Sequence, residues 1–278
     1  MTLHPAPPDT GIVFRRSGSA VEIRANWANT IDSLLCTVLS NGEGNTVSTV
    51  EHLMAAFAGA AIDNAVVELD GREVPIMDGS SAPFLFLIEC AGIVEQDATR
   101  RAIKVLKEVS VTEDGASAAL VPDHAFSMSF EIDFDHPLIR RQDACLVFDS
   151  DTFKTELSRA RTFGLLDELD RLRAAGFARG GSLDNAIVLG HSHVLNVGGL
   201  RYADEFVRHK LLDAYGDLYL AGGPLLGSFR GERSGHSHTR RLLAALFADR
   251  DAWCYTTHSR ASPPTAPEWP ERLQLAGD

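Results

Sequence analysis

Two short stretches of this chain carry the residue types of a reactive centre. His209 and Asp213 lie four residues apart within Phe206–Asp217, and Glu51 directly precedes His52 far upstream. If the downstream stretch is a helix, the four-residue spacing places an imidazole and a carboxylate on one face. These two groups and His52 can bind a tetrahedral zinc ion and leave one position open for water, from which Glu51 can take a proton. The residue types therefore favour metal-assisted hydrolysis.

Spacing alone leaves plainer interpretations of these residues open. His209 and Asp213 also fit a salt link on the polar face of a helix, and His52 also fits a histidine buried in a core. Glu51 follows Ser48 by three residues, and in that capping-box pattern a Glu normally caps its own helix. The metal interpretation needs an observation that brings the two stretches together.

A third candidate, His236, stands in the loop Ser234-Gly235-His236 between a predicted strand and a predicted helix. A side chain in such a loop can project into a cleft, and an imidazole can donate a proton near neutral pH. We interpret His191, His193 and His238 as surface histidines.

The composition indicates a globular protein of one large domain or two of ordinary size. Of the 278 residues, 45% are hydrophobic and 23% are charged, and no apolar stretch approaches the ~20 residues that span a bilayer. The first residues lack the basic region and apolar core of an export signal. The formal net charge of -12 argues against nucleic acid as a partner. Four scattered cysteines without a CxxC motif are typical of reduced thiols.

Periodicity and turn residues predict an alternation of strands and helices. A helix begins in the capping-box pattern and ends near Gly59, and a second runs from Ser81 to about residue 91. The polar stretch at 94–101 is the best candidate for a linker between domains, and the proline-rich end after Arg260 is predicted to be loose. Strands are predicted at 12–15, 21–24, 64–70, 102–113, 117–121, 126–134 and 225–233 with a strand pair at 185–197, and further helices at 151–160, 165–175 (closed by Gly176), 204–220 and 237–248.

The two halves of the chain share a faint internal similarity. His52 is followed seven residues later by Gly59, and His209 by Gly216 at the same spacing, with an apolar strand after each glycine. The similarity suggests a duplicated unit of a sheet and two helices, while one short match also fits chance. A duplication would place the two histidines at equivalent positions across a pseudo-twofold axis.

A series of longer motifs resembles a single enzyme family. The motifs are Ser48-Thr-Val-Glu-His-Leu53, Asn64 through Leu69, Pro75-Ile-Met-Asp-Gly-Ser-Ser-Ala-Pro-Phe84, Ser158-Arg-Ala-Arg-Thr-Phe-Gly164, Gly180-Gly-Ser182, Asp204-Glu-Phe-Val-Arg-His-Lys-Leu-Leu-Asp213, Gly216-Asp-Leu-Tyr219 and Ser234-Gly-His236. Several of them are long and peculiar to that family. With them the chain resembles UDP-3-O-acyl-N-acetylglucosamine deacetylase, the zinc enzyme of lipid A synthesis, in order from about residue 3 to 256.

The resemblance implies an α+β fold of two similar domains, each a two-layer sandwich of a sheet and helices, with the active site between them. Residues 1–98 would form a first domain that is shortened at its N-terminus relative to the family and carries Glu51 and His52. Residues 99–258 would form the second, with a strand-pair insert at about 183–200 and with His209, Asp213 and His236. Residues 259–278 would form a disordered tail.

The resemblance also implies a role for each candidate residue. The metal ligands would be His52, His209 and Asp213, and the ion Zn2+ or Fe2+, because such a ligand set accepts either. Glu51 would be the general base and His236 the general acid that protonates the leaving amine. The other residues implied are Thr162, which helps to hold the oxyanion; Asp217, which supports the catalytic histidine; the substrate contacts Lys210, Phe163 and Arg233; and Leu169, Ala178, Leu183 and Val188, which line an acyl-chain passage.

The implied reaction is hydrolysis of the N-acetyl group of UDP-3-O-acyl-N-acetylglucosamine to a free amine and acetate, in the cytoplasm of a Gram-negative bacterium. The implied partner is this nucleotide sugar, not nucleic acid, and the chain would not span a membrane. Departures from the family pattern are a missing Gly-Leu-His-Ser/Thr-Gly turn near the start, Ser237-His-Thr-Arg240 in place of Ala-Leu-Asn-Asn, and an altered turn at Gly190–His193. They leave two alternatives: a zinc amidohydrolase of another N-acetylated sugar, and a catalytically weak paralogue that binds a nucleotide sugar.

Overall fold

The structure, a computed structural model, describes residues 1–174 and 180–257. Its first half alternates short strands with two helices. These are β1 (Thr2–Pro5), β2 (Ile12–Arg16), β3 (Glu22–Arg24), β4 (Thr30–Ile31), β5 (Val38–Ser40), β6 (Thr46–Ser48), α1 (Glu51–Gly59), β7 (Ala65–Leu69) and α2 (Ala82–Ala91).

Two sheets form in this half. Strands β1, β7, β2 and β3 lie side by side in that order, with β2 parallel to β7 and the other pairs antiparallel. Along β7, Ala65, Val67 and Leu69 are buried and the residues between them are partly exposed, so one face of this sheet belongs to the core. Strands β4, β5 and β6 form a small antiparallel sheet.

The second half is organised around a larger mixed sheet. Its elements are β8 (Arg101–Val105), β9 (Val109–Glu113), β10 (Ala116–Val121), β11 (Phe126–Phe134), β12 (Arg140–Val147), β13 (Phe163–Leu165), α3 (Leu166–Ala174), β14 (Ile187–Leu189), α4 (Glu205–Tyr219), β15 (Leu225–Glu232), α5 (His236–Ala248) and β16 (Trp253–Thr257). A π-helix covers Phe153–Leu157. In the sheet, strands run in the order β12-β11-β15-β10-β9, and β8 pairs with both β15 and β16.

Helix α4 lies at the centre of the molecule. It packs against α1 from the first half and against α5 and β11 from the second. Its apolar residues are buried, and so are its polar residues Glu205, His209, Asp213 and Asp217. A helix that buries charged side chains needs partners for them, because unpaired buried charge is costly. We therefore expect a functional site beside the buried polar residues of α4.

The prediction of one strand over 102–113 is wrong. The chain leaves β8 after Val105, where the amide of Leu106 donates to the carbonyl of Ala252, and resumes as β9 at Val109 with β10 as its partner. The apolar alternation runs through both strands, so only the change of pairing partner separates them. The turn at Asp114-Gly115 joins β9 to β10, and both residues have positive φ.

Two other predicted elements have a different form. The helix predicted at 151–160 is the five-residue π-helix, in which the amide of Ser158 donates to the carbonyl of Phe153. The strand pair predicted at 185–197 is β14, which pairs in parallel with β13, and one further bridge joins Leu189 to Val194. Of the helix predicted at 165–175, the described residues contain Leu166–Ala174. Gly176 and the tail 259–278 lie outside the described residues.

Each described sheet takes its strands from one side of residue 98. That pairing supports the division into residues 1–98 and 99–258, which we retain as a proposal. Within the described parts of the chain, no helix combines the length and apolar character needed to cross a membrane.

Candidate active site

The candidate site lies where α1 and α4 cross. A Cβ on Gly216 would lie 2.0 Å from the carbonyl oxygen of Glu51 and 2.9 Å from the amide nitrogen of Ala55. Only glycine therefore allows the two helix backbones to come this close. The crossing brings the rings of His52 and His209 into an edge-to-face contact, with centroids 5.0 Å apart.

The two imidazoles and Asp213 form one buried cluster. Oδ1 of Asp213 lies 3.4 Å from Nε2 of His52 and 3.3 Å from Nε2 of His209. One ligand atom from each of the three residues lies within 4.8 Å of the other two. The second oxygen, Oδ2, accepts a hydrogen bond from Nζ of Lys210 at 3.4 Å. The structure thus brings together the three residues predicted to bind a metal.

Two observations test whether this cluster fits a metal ion. Oδ1 of Asp213 is buried and has no hydrogen-bond partner among the described residues, and such an oxygen is costly unless something satisfies it. Nδ1 of His209 lies 3.0 Å from the carbonyl oxygen of Ala160. Because a carbonyl only accepts, Nδ1 carries the proton and Nε2 keeps its lone pair on the side of Asp213. A cation between these atoms would satisfy both groups, so the residues fit a metal.

The protonation states of the three residues also bear on whether the cluster can bind a metal ion. Burial lowers the pKa of His209 to about 4, so this imidazole is neutral at pH 7. Burial opposes the charge on Asp213, but the neighbouring imidazoles and Lys210 outweigh it and hold the pKa of this carboxyl well below its usual value. At His52, burial is outweighed by Asp213, which raises the pKa. A proton on His52 and a metal cation therefore compete for the same carboxylate.

Glu51, the predicted general base, does not cap its helix. No described side chain caps α1, which begins after Val50, and Ser48 belongs to strand β6, so the capping-box interpretation is wrong. Instead, Oε2 of Glu51 accepts a hydrogen bond from the backbone amide of Thr37 at 3.0 Å. Burial raises the pKa of Glu51 against the opposing charges of nearby imidazoles. A raised pKa suits a carboxylate that takes up a proton near neutral pH.

His236, the predicted general acid, begins α5 and is tied to Asp217. Its Nδ1 donates to Oδ2 of Asp217 at 2.7 Å, and the hydroxyl of Thr37 donates to Oδ1 of the same carboxylate at 2.5 Å. Burial opposes the charge on His236, but Asp217 outweighs it and raises the pKa of the imidazole to about 9. The imidazolium is therefore the stable form at pH 7, and in this form Nε2 carries a proton that it can donate.

The predicted residues Phe163, Thr162 and Arg233 lie in or beside different strands of the second half. Phe163 stands edge-on to the ring of His209, with centroids 6.3 Å apart. Thr162 precedes it, and its backbone amide donates to the carbonyl of Gly79 at 2.8 Å. Arg233 lies between β15 and α5, with its side chain 48% exposed.

Three of the four residues predicted to line an acyl passage are described. Val188 is buried in β14, where it pairs with Gly164. Leu169 is half-buried on α3, and Leu183 is 49% exposed in the loop before β14. Ala178 lies outside the described residues, and the passage stays a prediction.

Sequence reasoning missed Thr37, which contacts Glu51 through its amide and Asp217 through its hydroxyl. Its hydroxyl also lies 3.2 Å from Nδ1 of His236. These partners are far from it in the sequence, so no spacing rule links them. Glu205 was also missed, although it continues the four-residue spacing of the buried polar residues of α4 toward the helix start.

Comparison with known proteins decides the family. The family model described as "LpxC: UDP-3-O-acyl N-acetylglycosamine deacetylase" matches residues 1–248. The chain belongs to this family. Two curated relatives, both named UDP-3-O-acyl-N-acetylglucosamine deacetylase, come from Chromohalobacter salexigens and Pseudomonas entomophila. Each is 52% identical to this chain over 257 residues, which cover 91% of the chain and 84% of the relative.

Membership of the deacetylase family confirms several predictions from the motifs. The resemblance itself, the α+β class and the assignment as a deacetylase, a hydrolase, are all confirmed. The His-His-Asp cluster is the part of the site that can bind a metal.

Proposed function

We propose that the buried cluster at the junction of α1, α4 and α5 hydrolyses the N-acetyl group of UDP-3-O-acyl-N-acetylglucosamine, releasing acetate and a free amine for lipid A biosynthesis. The observation that carries the proposal is that candidate metal ligands, base and acid converge there. Family membership and the two curated deacetylases support the same reaction. This nucleotide sugar is the partner, and the cytoplasm of a Gram-negative bacterium is the expected compartment.

The proposed metal ligands are Nε2 of His52, Nε2 of His209 and Oδ1 of Asp213. The ion is Zn2+, with Fe2+ as the alternative that two imidazoles and one carboxylate also accept. When bound, such an ion makes a water molecule more acidic and polarises a carbonyl. Lys210, 3.4 Å from Oδ2 of Asp213, holds the other oxygen of that carboxylate.

Glu51 takes the proton of the attacking water. Its Oε2 is held by the amide of Thr37 at 3.0 Å, so Oε1 is the oxygen left to receive the proton. Burial raises the pKa of this carboxyl, which lets it keep the proton once the water has attacked.

His236 gives a proton to the leaving nitrogen from Nε2. The bond from Nδ1 to Asp217 fixes the ring, and the pKa of about 9 keeps the imidazole charged at pH 7. An amine that leaves without a proton is a very poor leaving group, so this donation is needed for the carbon–nitrogen bond to break. Acid assistance of this kind is typically worth ~10²–10⁴-fold in rate.

Thr162 donates its hydroxyl to the acetamide oxygen as negative charge grows there. Its backbone is held on two sides, because its amide donates to the carbonyl of Gly79 and its carbonyl accepts from the amide of Ile187, each at 2.8 Å. The remaining proposed substrate contacts are Lys210 and Arg233 for the charged part, Phe163 beside the metal cluster, and Leu169, Ala178, Leu183 and Val188 for the acyl chain.

An assay with two substrates tests the proposal. The purified chain is stripped of metal, reloaded with Zn2+ or Fe2+, and incubated with UDP-3-O-acyl-N-acetylglucosamine or with UDP-N-acetylglucosamine, and the free amine is measured by mass spectrometry. We expect metal-dependent conversion of the acylated sugar and little of the other. Equal conversion of both would favour an amidohydrolase of another N-acetylated sugar. Binding without conversion by the metal-loaded protein would favour the paralogue and overturn the proposal.

A further inference from the structure

One buried acid on α4 has no role in the chemistry above. Glu205, His209, Asp213 and Asp217 follow one another at four-residue spacing, which places each beside the one before it on the helix surface. Glu205 is the most deeply buried of the four, at 0% exposed. A carboxylate in that position needs strong partners, so its partners indicate what it does.

Glu205 binds the segment 159–162 to the start of α4. Its Oε1 accepts from the amide and from Nε of Arg161, at 3.0 and 2.9 Å. Its Oε2 accepts from Nη2 of Arg161 at 3.1 Å and from the amide of Arg201 at 2.5 Å. A two-pronged contact between a guanidinium and a carboxylate fixes both distance and orientation.

The side chain of Arg201 holds the same segment from the other side. Its Nη1 donates to the carbonyl of Arg159 at 3.0 Å, and its Nη2 donates to Oδ2 of Asp78 at 2.8 Å. The amide of Thr162 is bound in turn to the carbonyl of Gly79. The segment is therefore held at residues 159, 161 and 162, on both sides of Ala160.

Two atoms of the active site depend on this segment. The carbonyl of Ala160 accepts from Nδ1 of His209 at 3.0 Å, and it thereby decides which nitrogen of that imidazole keeps a lone pair for a metal. Thr162 carries the hydroxyl proposed to stabilise the oxyanion. A shift of the segment would change both.

We propose that Glu205 is a positioning residue of the metal centre: through Arg161 it holds the Ala160 carbonyl against His209 and keeps that imidazole in the metal-binding tautomer. The inference rests on the proposed function, since it assigns His209 as a ligand. The tautomer of His209 is a property of the free protein, so it can be measured without substrate or turnover.

The test is Glu205→Gln, which keeps the size of the side chain but turns one acceptor oxygen into a donor facing Arg161 and Arg201. In the metal-free full chain labelled with 15N-histidine, we expect His209 to carry its proton on Nδ1 in the parent protein and on either nitrogen in the variant. The dissociation constant for Zn2+, measured by competition with a chelator, should rise about 10-fold. The matched control is Asp204→Asn, at the residue directly before Glu205. It removes the 2.6 Å ion pair between Asp204 and Arg208 and should leave both values unchanged.

A lower melting temperature of Glu205→Gln with the parent tautomer and the parent Zn2+ affinity would overturn the proposal, because Glu205 would then only support the fold. If that variant does not fold, Arg201→Gln removes the contacts to Arg159 and Asp78 from a side chain that is 27% exposed. It should shift both measurements in the same direction, and unchanged values would equally overturn the proposal. Because neither measurement uses substrate, loss of the proposed deacetylase function would be recognised separately.

Discussion

The two histidines that α1 and α4 bring together are held in different ways. Nδ1 of His209 donates to the carbonyl of Ala160, and Glu205 holds that carbonyl in place through its hydrogen bonds with Arg161. Nδ1 of His52 is buried and has no hydrogen-bond partner among the described residues, so packing within the helix crossing positions its ring. Polar contacts therefore fix His209 on the α4 side of the site, whereas the position of His52 on the α1 side depends on how closely the helices approach.

The largest effect is expected from removing the group that both sides share. Oδ1 of Asp213 contacts the imidazoles of both helices, so Asp213→Ala leaves two neutral ligands and no charge to hold a divalent cation. Metal content by elemental analysis should fall to background, and activity should fall with it. One equivalent of tightly bound metal in the folded variant would show that the cluster is not the metal site.

Removing the proposed base and the proposed acid separately tests the role of each. Glu51→Ala on the α1 side and His236→Ala on α5 should each keep the metal and lose ~10²–10⁴-fold in kcat, since proton transfer contributes about that much. Metal content and kcat measured on the same preparations distinguish this result from loss of the metal. Full activity in either variant would refute the assigned role.

Changing how closely α1 and α4 approach each other should displace His52 and leave His209 in place. In Gly216→Ala a methyl group would meet the carbonyl of Glu51 at 2.0 Å, and overpacking of this kind costs about 1–3 kcal/mol. The melting temperature should fall, Zn2+ should bind more weakly because His52 moves away from the cluster, and the Nδ1 proton of His209 should stay in place. Gly198→Ala is the control, since a Cβ there meets no described atom within 4 Å; equal effects of the two variants would contradict the prediction.

The smallest effect concerns pH. Asp217 contributes most to raising the pKa of His236 to about 9 against the effect of burial, so Asp217→Asn should lower that pKa. The reaction needs the protonated imidazole, so activity is lost as pH rises through this pKa. The alkaline limb of the kcat–pH profile should therefore move to lower pH in the variant. An unchanged limb would mean that another group sets it.

The sequence was sufficient for the elements that carry the site, since helices were predicted close to the observed bounds of α1, α4 and α5. It was insufficient where tertiary pairing decides the structure. Strands β4, β5 and β6 have only two or three residues each, too few for an alternation to be visible. Strand β12 begins Arg-Arg-Gln-Asp and shows little of the apolar pattern of a strand. The break between β8 and β9 exists because the two strands have different partners.

The same limit applies to the site. His209 and Asp213 share one helix face, so their spacing was informative, and the motifs supplied His52 and Glu51. Thr37 contacts Asp217 across 180 positions of sequence, and only the folded chain brings them together. Glu205 was visible in the four-residue pattern, but nothing in the sequence named Arg161 as its partner.

The row of polar residues on α4 is not straight. An α-helix turns by roughly 100° per residue, so a step of four residues rotates the row by about 40°, and the three such steps from Glu205 to Asp217 rotate it by about 120°. The polar residues of this one helix thereby face three neighbours in succession: the segment 159–162, then α1, then α5. Inserting or deleting a single residue between His209 and Asp213 would rotate the part of α4 that follows by roughly 100° and separate the imidazole from the carboxylate. The helix therefore tolerates substitution far better than a change in its length.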